Sequence, residues 1–496
     1  MLQLLCVAIC VLPLFYLYLT WHYNHWRNKG VVQADPLPGI GNYLDILLHK
    51  KSTPYIYTDL YRAFPNAPAV GFYDLRTPAL LIRDPEIIRT VLVKDFSSFH
   101  DIPMGEGDSE AYIYRDPFLS KGQHWKVNRN TLVPILNLAK LKSIYPQMKE
   151  IAKELQQYID NNLGKDVEAK NLAFMFTTDV VSNCAFGISG NSFKETEAVF
   201  KHMGKLMVDK INGFYRAFAM MHWPKLATKF NIRAVGDDVG KYLESVVMET
   251  QKHRAKNNIT RNDILDHILN LKGKKKINGV NEEVYENVDV VGYALTFFVE
   301  GFETSAITAS FALYELAKHP NIQNRLRDEI QMAANKMEDL DYDGLHGFKY
   351  LDQVISETLR RYPVIFSMFR VCTKNTTLEI DGRNVKIEKG TLIAIPVYGI
   401  QHDPNYYPKP EVFDPERFSE ENIASRPSYT YLPFGEGPRI CIGMRFGLTQ
   451  VKLMLAALVL NYNITCSKNL GKIEFDETCM VTSCLTSLLL NFQKIK

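Results

Sequence analysis

FGEGPRICIG, Phe434 to Gly443, sets one cysteine in ten residues that also hold three glycines, a proline and an arginine. Gly435, Gly437 and Gly443 allow tight turns and close approach of backbone to a flat object, and Pro438 stiffens the bend before Arg439 and Cys441. A loop of this kind can present a single thiolate. It can equally bury a cysteine as a small hydrophobe in a glycine turn. The remainder of the chain has to decide between the two.

The chain of 496 residues is 46% hydrophobic and 23% charged, enough apolar material for a large core and too much for a disordered or fibrous protein. Its formal net charge of +3 is too mild for a nucleic-acid-binding surface, which concentrates a basic stripe. The eight cysteines, Cys6, Cys10, Cys184, Cys372, Cys441, Cys466, Cys479 and Cys484, are widely spaced and form no CxxC or Cys/His cluster. That spacing argues against a disulfide framework and against structural zinc.

Residues 1–24 begin with MLQLLCVAICVLPLFYLYLTW, which is uncharged and long enough to span a bilayer. A membrane anchor is expected. A cleaved signal peptide is the rival, but no basic stretch precedes the apolar run, and bulky WHYNHW stands where small residues should mark a cleavage site. Arg27 and Lys29 follow the span, so the positive-inside rule puts the body in the cytosol. Sequons at Asn258, Asn375 and Asn463 are then expected to stay unglycosylated. Residues 25–45 include ADPLPGIGN, a stiff proline- and glycine-rich linker, and residues 46–496 are expected to form one catalytic domain.

Most of residues 120–360 has helical spacing, for example MKEIAKELQQYIDNNL from Met148 and an apolar run from Val288 to Lys318 that ends at His319-Pro320. Strand signals cluster at two ends: PAVGFYDLRTPALLIRD (Pro68 to Asp84) reads as a hairpin, and TLEIDGRNVKIEKGTLIAIPVY (Thr377 to Tyr398) alternates with Asp-Gly turn chemistry. The polar tract LKGKKKINGVNEE (Leu271 to Glu283) reads as an exposed loop. The fold class is therefore mainly α with a small β-sheet region, a single domain behind an N-terminal anchor. The Val288–Lys318 run is apolar on nearly all sides and so is buried, which makes Glu300 and Glu303 costly unless paired, hydrogen-bonded or protonated.

The cysteine segment resembles the F-x-x-G-x-R-x-C-x-G loop of the cytochrome P450 family of haem-thiolate monooxygenases, matched at Phe434, Gly437, Arg439, Cys441 and Gly443. Glu357 and Arg360 resemble the family's E-x-x-R pair, and Arg417 in PERF the third member of a buried structural triad. Gly301-Phe302-Glu303-Thr304 resembles its oxygen-activation motif. The resemblance implies haem b with Cys441 as the iron ligand, the metal site, and a proton relay through Glu303 and Thr304. A competing reading of Thr304 is a plain back-bond to the preceding helical turn. Trp125, Arg129, Arg370 and Arg439 match family contacts to the haem propionates, and Phe434 belongs to the cofactor loop.

Glu300 departs from most of the family, which has a small residue there. In one branch resembling fatty-acid ω-hydroxylases a glutamate at this offset is esterified to a haem methyl. Three readings stand: an ester, a polar substrate anchor, or a carboxylate held by a neighbouring side chain. By resemblance the substrate pocket is formed by about 100–118, Asn212 to Leu226 with Phe214, Phe218, Met220, Met221 and Trp223, Phe302, 364–369 and Met480 to Thr482. Ordinary core packing and a dip into the membrane surface compete for the aromatic segment.

The implied reaction is monooxygenation of an apolar small molecule, xenobiotic, hormone or lipid. No nucleotide-binding glycine pattern follows a strand, so NADPH and flavins act only through a separate partner, an NADPH-cytochrome reductase, with cytochrome b5 as a second expected donor. Lys121, Lys126, Arg439 and Arg445 are expected to dock the reductase's acidic surface. FGEGPRICIGMRFG and FFVEGFETS are most similar to insect microsomal members, which implies the endoplasmic reticulum membrane and a monomer. A haem isomerase would need no oxygen relay, and a haem carrier or gas sensor would need neither relay nor pocket.

Overall fold

The computed structural model describes residues 2–495 except 104–111, 196–197, 212–213, 234–236, 279–280 and 335–338. Its centre is the run read as one helix. Two helices form instead, Asn287–Glu300 and Glu303–Lys318. The first starts at a reciprocal capping box between Glu286 and Asp289. The break falls at Gly301-Phe302, and Phe302, at φ −114 and ψ −51, is the N-cap from which the second helix starts. A Cβ on Gly301 would sit 2.4 Å from the Phe297 carbonyl oxygen and 3.0 Å from Val181, so glycine is what lets the chain bend against that neighbour.

The freed carbonyl of Gly301 accepts a 3.0 Å hydrogen bond from the Gln450 side-chain amide. Gln450 lies on the helix Met444–Asn461, which follows the cysteine loop. A buried carbonyl without a partner would cost about 1–3 kcal/mol, so this contact holds the bend and ties it to the cysteine. Both central helices are buried along their length, as their all-round apolar pattern requires. The segment Asn287–Lys318 is apolar enough to cross a membrane, yet 78% of its most apolar stretch is buried inside the protein, which makes it a core helix.

Helices Leu138–Asp160, Ala169–Val181, Lys349–Arg361 and Met444–Asn461 surround this centre and share its core. A second apolar core lies under a four-stranded sheet ordered Ala69–Asp74, Thr77–Ile82, Leu392–Ile395, Met368–Val371. The first two strands form the expected hairpin, and Leu392–Ile395 pairs parallel to Thr77–Ile82. The Asp-Gly hairpin is also present, Thr376–Ile380 with Arg383–Ile387, and Asp381 and Gly382 take φ of +51 and +71 at its turn. The polar tract differs from expectation: Lys275–Asn278 and Asn281–Val284 pair as a two-stranded hairpin. A highly polar sequence still registers as sheet because the pairing is made by the backbone, and Lys276 is held by Asp289 at 3.1 Å.

The N-terminal apolar helix spans Leu2–Thr20. The residues after it fold onto the body. Trp26 is fully buried against Gly71, where any Cβ would lie 2.3 Å from the indole, and Gln33 bridges to the same glycine. Lys29 pairs with Glu388 at 2.6 Å.

Candidate active site

The cysteine loop is built by its glycines. Gly435 and Gly437 both take φ of +73, a region L side chains avoid, and a Cβ on Gly437 would lie 2.1 Å from the Leu92 carbonyl. The Cys441 amide donates to the Phe434 carbonyl at 2.9 Å and closes the loop, and the Phe434 ring packs against the helical core. Gly443 then caps the helix Met444–Asn461.

Cys441 therefore sits at the N-terminus of an 18-residue helix. Its side chain has accessible surface, yet burial by surrounding protein pushes its thiol up to about 11, with Glu300 adding to the shift. The two observations agree if the sulfur faces an internal space. The backbone N–H groups of Gly443 and Met444, together with Arg129, oppose the shift and favour the thiolate.

Arg129 and Trp125 are on one face of the helix Gly122–Leu132, Arg370 is on the sheet strand Met368–Val371, and Arg439 is in the loop itself. The three guanidinium groups converge. Burial pushes Arg439 down to about 9, the charge of Arg370 and, less strongly, that of Arg129 push the same way, and Asp101 and Asp116 oppose them. Burial pushes Arg370 down to about 10 and also lowers Arg129. Arg370 Nε and Trp125 Nε1 are buried without a hydrogen-bond acceptor. Buried cations crowded together with orphan donors call for a multivalent anion.

The structure departs from expectation at Arg439 as a docking residue. Its side chain is only 5% exposed. It donates to the carbonyls of His100, Phe118 and Ser120 and stacks 4.6 Å from the Trp125 ring, so it binds the 100–120 segment to the cysteine loop. Lys126 and Arg445 are exposed as expected, and Lys121 is half-buried.

On the facing central helix, Thr304 is half-buried and its hydroxyl donates to the Glu300 carbonyl at 3.0 Å, the back-bond weighed above. Glu303 is buried and paired with Lys170 of the Ala169–Val181 helix at 3.2 Å. Glu300 has the partner that the sequence left open. Its carboxyl hydrogen-bonds the Asp116 carboxyl, and burial and the Asp116 charge raise it well above the ordinary carboxylate range. Asp116 is also raised by burial, but it accepts from the Phe118 and Leu119 amides at 2.7 and 3.1 Å and from Thr296.

Glu357, Arg360 and Arg417 come together as the sequence implied, at the end of the helix Lys349–Arg361. Arg360 donates to both Glu357 oxygens at 2.7 and 2.9 Å, and Arg417 lies 3.4 Å from the same carboxylate. Of the segments expected at a pocket, 364–369 and 480–482 meet through an Ile365–Val481 bridge and a Thr482-to-Val364 hydrogen bond of 3.0 Å. Phe302 does not join them: it is buried in the helical core, its ring 5.2 Å from Phe174 and 5.6 Å from Phe298. Phe218 and Met221 pack on the sheet core while Trp223 is 49% exposed. Residues 104–111, Asn212 and the Phe214 side chain lie outside the described residues.

Sequence reasoning missed Asp116, Lys170 and Gln450. A glutamine inside the apolar run LTQVKLMLAALVL was a legible signal for the last. The other two act across chain distances that no local pattern reports. A cavity of about 680 Å³ opens elsewhere, between the Gly122–Leu132 helix and the polar hairpin, and contains none of the residues gathered around Cys441.

A flat, dianionic, sulfur-ligated group such as haem fits this donor set: one thiol at a helix N-terminus, three convergent arginines and two orphan N–H donors. Comparison with known proteins agrees. The family model described as Cytochrome P450 matches residues 33–489. The chain is 38% identical to "Cytochrome P450 6k1" of Blattella germanica, covering 99% of this chain and 97% of that one. It is 36% identical to "Probable cytochrome P450 6a13" of Drosophila melanogaster, with 94% of each covered, and 34% identical to that fly's "Cytochrome P450 6a2", with 99% of each covered.

Proposed function

The chain belongs to the cytochrome P450 family of haem-thiolate monooxygenases, and on that premise we propose how its own residues serve the reaction. The enzyme uses haem b, takes electrons from NADPH through a separate reductase and acts on apolar small molecules. When bound, the haem supplies dioxygen activation and insertion of one oxygen atom into the substrate.

Cys441 would hold the haem iron through its sulfur. The observation that carries this assignment is its sulfur on the glycine loop at a helix N-terminus, beside the convergent guanidinium groups of Arg129, Arg370 and Arg439. Gly443 and Met444 amides hold charge on the sulfur and moderate its donation. Arg129, Arg370, Arg439 and the Trp125 indole would hold the two propionates, and Phe434 walls the loop. Glu303, held in place by Lys170, is the proton source of the relay, and Thr304 passes the proton on once its hydroxyl rotates off the Glu300 carbonyl.

The domain boundaries follow: residues 1–24 anchor the chain in the endoplasmic reticulum membrane, 25–45 link anchor to body, and 46–496 form the cytosolic catalytic domain. The buried Trp26 and the Lys29–Glu388 pair support an uncleaved N-terminus whose linker is seated on the sheet. Lys121, Lys126 and Arg445 dock the reductase and, alternately, cytochrome b5, with the enzyme acting as a monomer. The test is the carbon monoxide difference spectrum of the reduced protein. The wild type should give the far-red Soret band of a thiolate-ligated haem and Cys441→Ala should lose it; a normal band in the variant defeats the assignment.

A further inference from the structure

The central helices hold carboxylates that elsewhere in the protein are matched by cations. Asp289 has Arg115 at 3.0 Å and Lys276 at 3.1 Å, Glu303 has Lys170 at 3.2 Å, and Glu315 has Arg361 at 3.7 Å. Glu300 and Asp116 break the rule: among the described residues neither forms a salt bridge. Two carboxyls that hydrogen-bond each other must share a proton, so the pair carries one negative charge. Asp116 is already saturated by the Phe118 and Leu119 amides and Thr296, which leaves the charge there and makes Glu300 the donor.

Asp116 is 4% exposed, whereas Glu300 keeps accessible surface, and its charge is felt at Cys441. Glu300 is therefore the member that faces the same internal space as the cysteine. The other charged groups that bear on the pair are Cys441 and, at longer range, Arg439, which also donates to the 100–120 carbonyls and shares its field with Arg370 and Arg129. Those three arginines are the ones a haem's carboxylates would engage. That leaves one buried negative charge beside this internal space with no salt-bridge partner among the described residues, a cost a ligand could relieve.

We propose that the Glu300–Asp116 pair is a recognition site for a basic nitrogen, and that this enzyme selects apolar molecules carrying one amine. The protonated nitrogen donates a hydrogen bond to the Glu300 carboxyl while the pair keeps its shared proton, so the cavity becomes neutral. This rests on the monooxygenase reading above, because it is the haem that would claim the arginines.

The test is binding by calorimetry to the purified full-length holoenzyme, using a hindered N-alkylpiperidine and the alkylcyclohexane of the same shape. The wild type should bind the amine about tenfold or more tighter, the effect of one charge-assisted hydrogen bond. The Glu300→Gln/Asp116→Asn double variant keeps shape and removes the charge, and its preference should fall to within about twofold. Equal wild-type affinities overturn the proposal whether or not the variant folds, as does an undiminished preference in a folded variant. Acidified-solvent extraction of wild-type haem is run alongside: haem that stays with the polypeptide means Glu300 is consumed in an ester and also overturns it. A missing thiolate band with carbon monoxide would instead sink the monooxygenase reading.

Discussion

Two arginine sites flank the cysteine loop, and they solve opposite problems. At Glu357 the carboxylate and the Arg360 guanidinium are fully buried, yet each charge has an opposite partner: Arg360 Nε and Nη2 donate to Glu357, Arg360 also donates to the Gln401 and Pro410 carbonyls at 2.9 and 2.7 Å, and Arg417 Nε, which makes no hydrogen bond, still lies 3.4 Å from the same carboxylate. At Arg129, Arg370 and Arg439 burial lowers all three cations, the other two lower Arg439 further, and two buried donors have no acceptor. A closed ion cluster is structure. An open one is a socket, and its unpaired charge states what it was built to hold.

The contrast is sharpest when each site is broken. Glu357→Gln strands the Arg360 charge, so denaturant unfolding should show a loss of about 3–5 kcal/mol. Arg370→Met removes a cation that the apoprotein does not need; its apo stability should hold or rise, while haem affinity falls by about 1.5–3 kcal/mol for the lost charge-assisted bond. If the two variants unfold alike, the distinction between cluster and socket fails. Lys170→Met leaves Glu303 without its cation and should cut turnover about tenfold, with more hydrogen peroxide per NADPH and an unchanged carbon monoxide spectrum. Lys170→Arg should restore the coupling; a merely structural lysine would alter stability without moving the peroxide ratio.

The smallest expected effect reads residual charge at the closed cluster. His402 is held neutral, first by burial and then by Arg360, and its pKa is pushed down to about 3 from an ordinary 6.5. The unfolded chain therefore takes up this proton first as pH falls, so stability is lost from about pH 6.5 toward pH 3, by about 0.7 kcal/mol between pH 7 and pH 6. His402→Gln should flatten that acid limb in thermal melts.

The helical class and both hairpins were legible because periodicity and Asp-Gly turn chemistry are local. The polar hairpin was not, since its strands are held by register rather than by apolar alternation. The break in the central helix was half legible: Gly301 was visible, but the Gln450 contact that stabilises the bend joins residues 149 apart. Glu300 carried the same ambiguity, because its buried position showed in the sequence while its partner, Asp116, approaches from a distant loop.

The order of residues alone determined the cysteine loop, since positive-φ glycines and the cysteine spacing act within ten residues, and it determined the all-round apolar pattern that buries the facing helix. Only the tertiary structure decided which charges are answered. Pairing inside a low-dielectric core depends on distance in space, so Arg439 turning inward, Glu303 meeting Lys170 and Glu300 meeting Asp116 were settled by packing and not by sequence spacing.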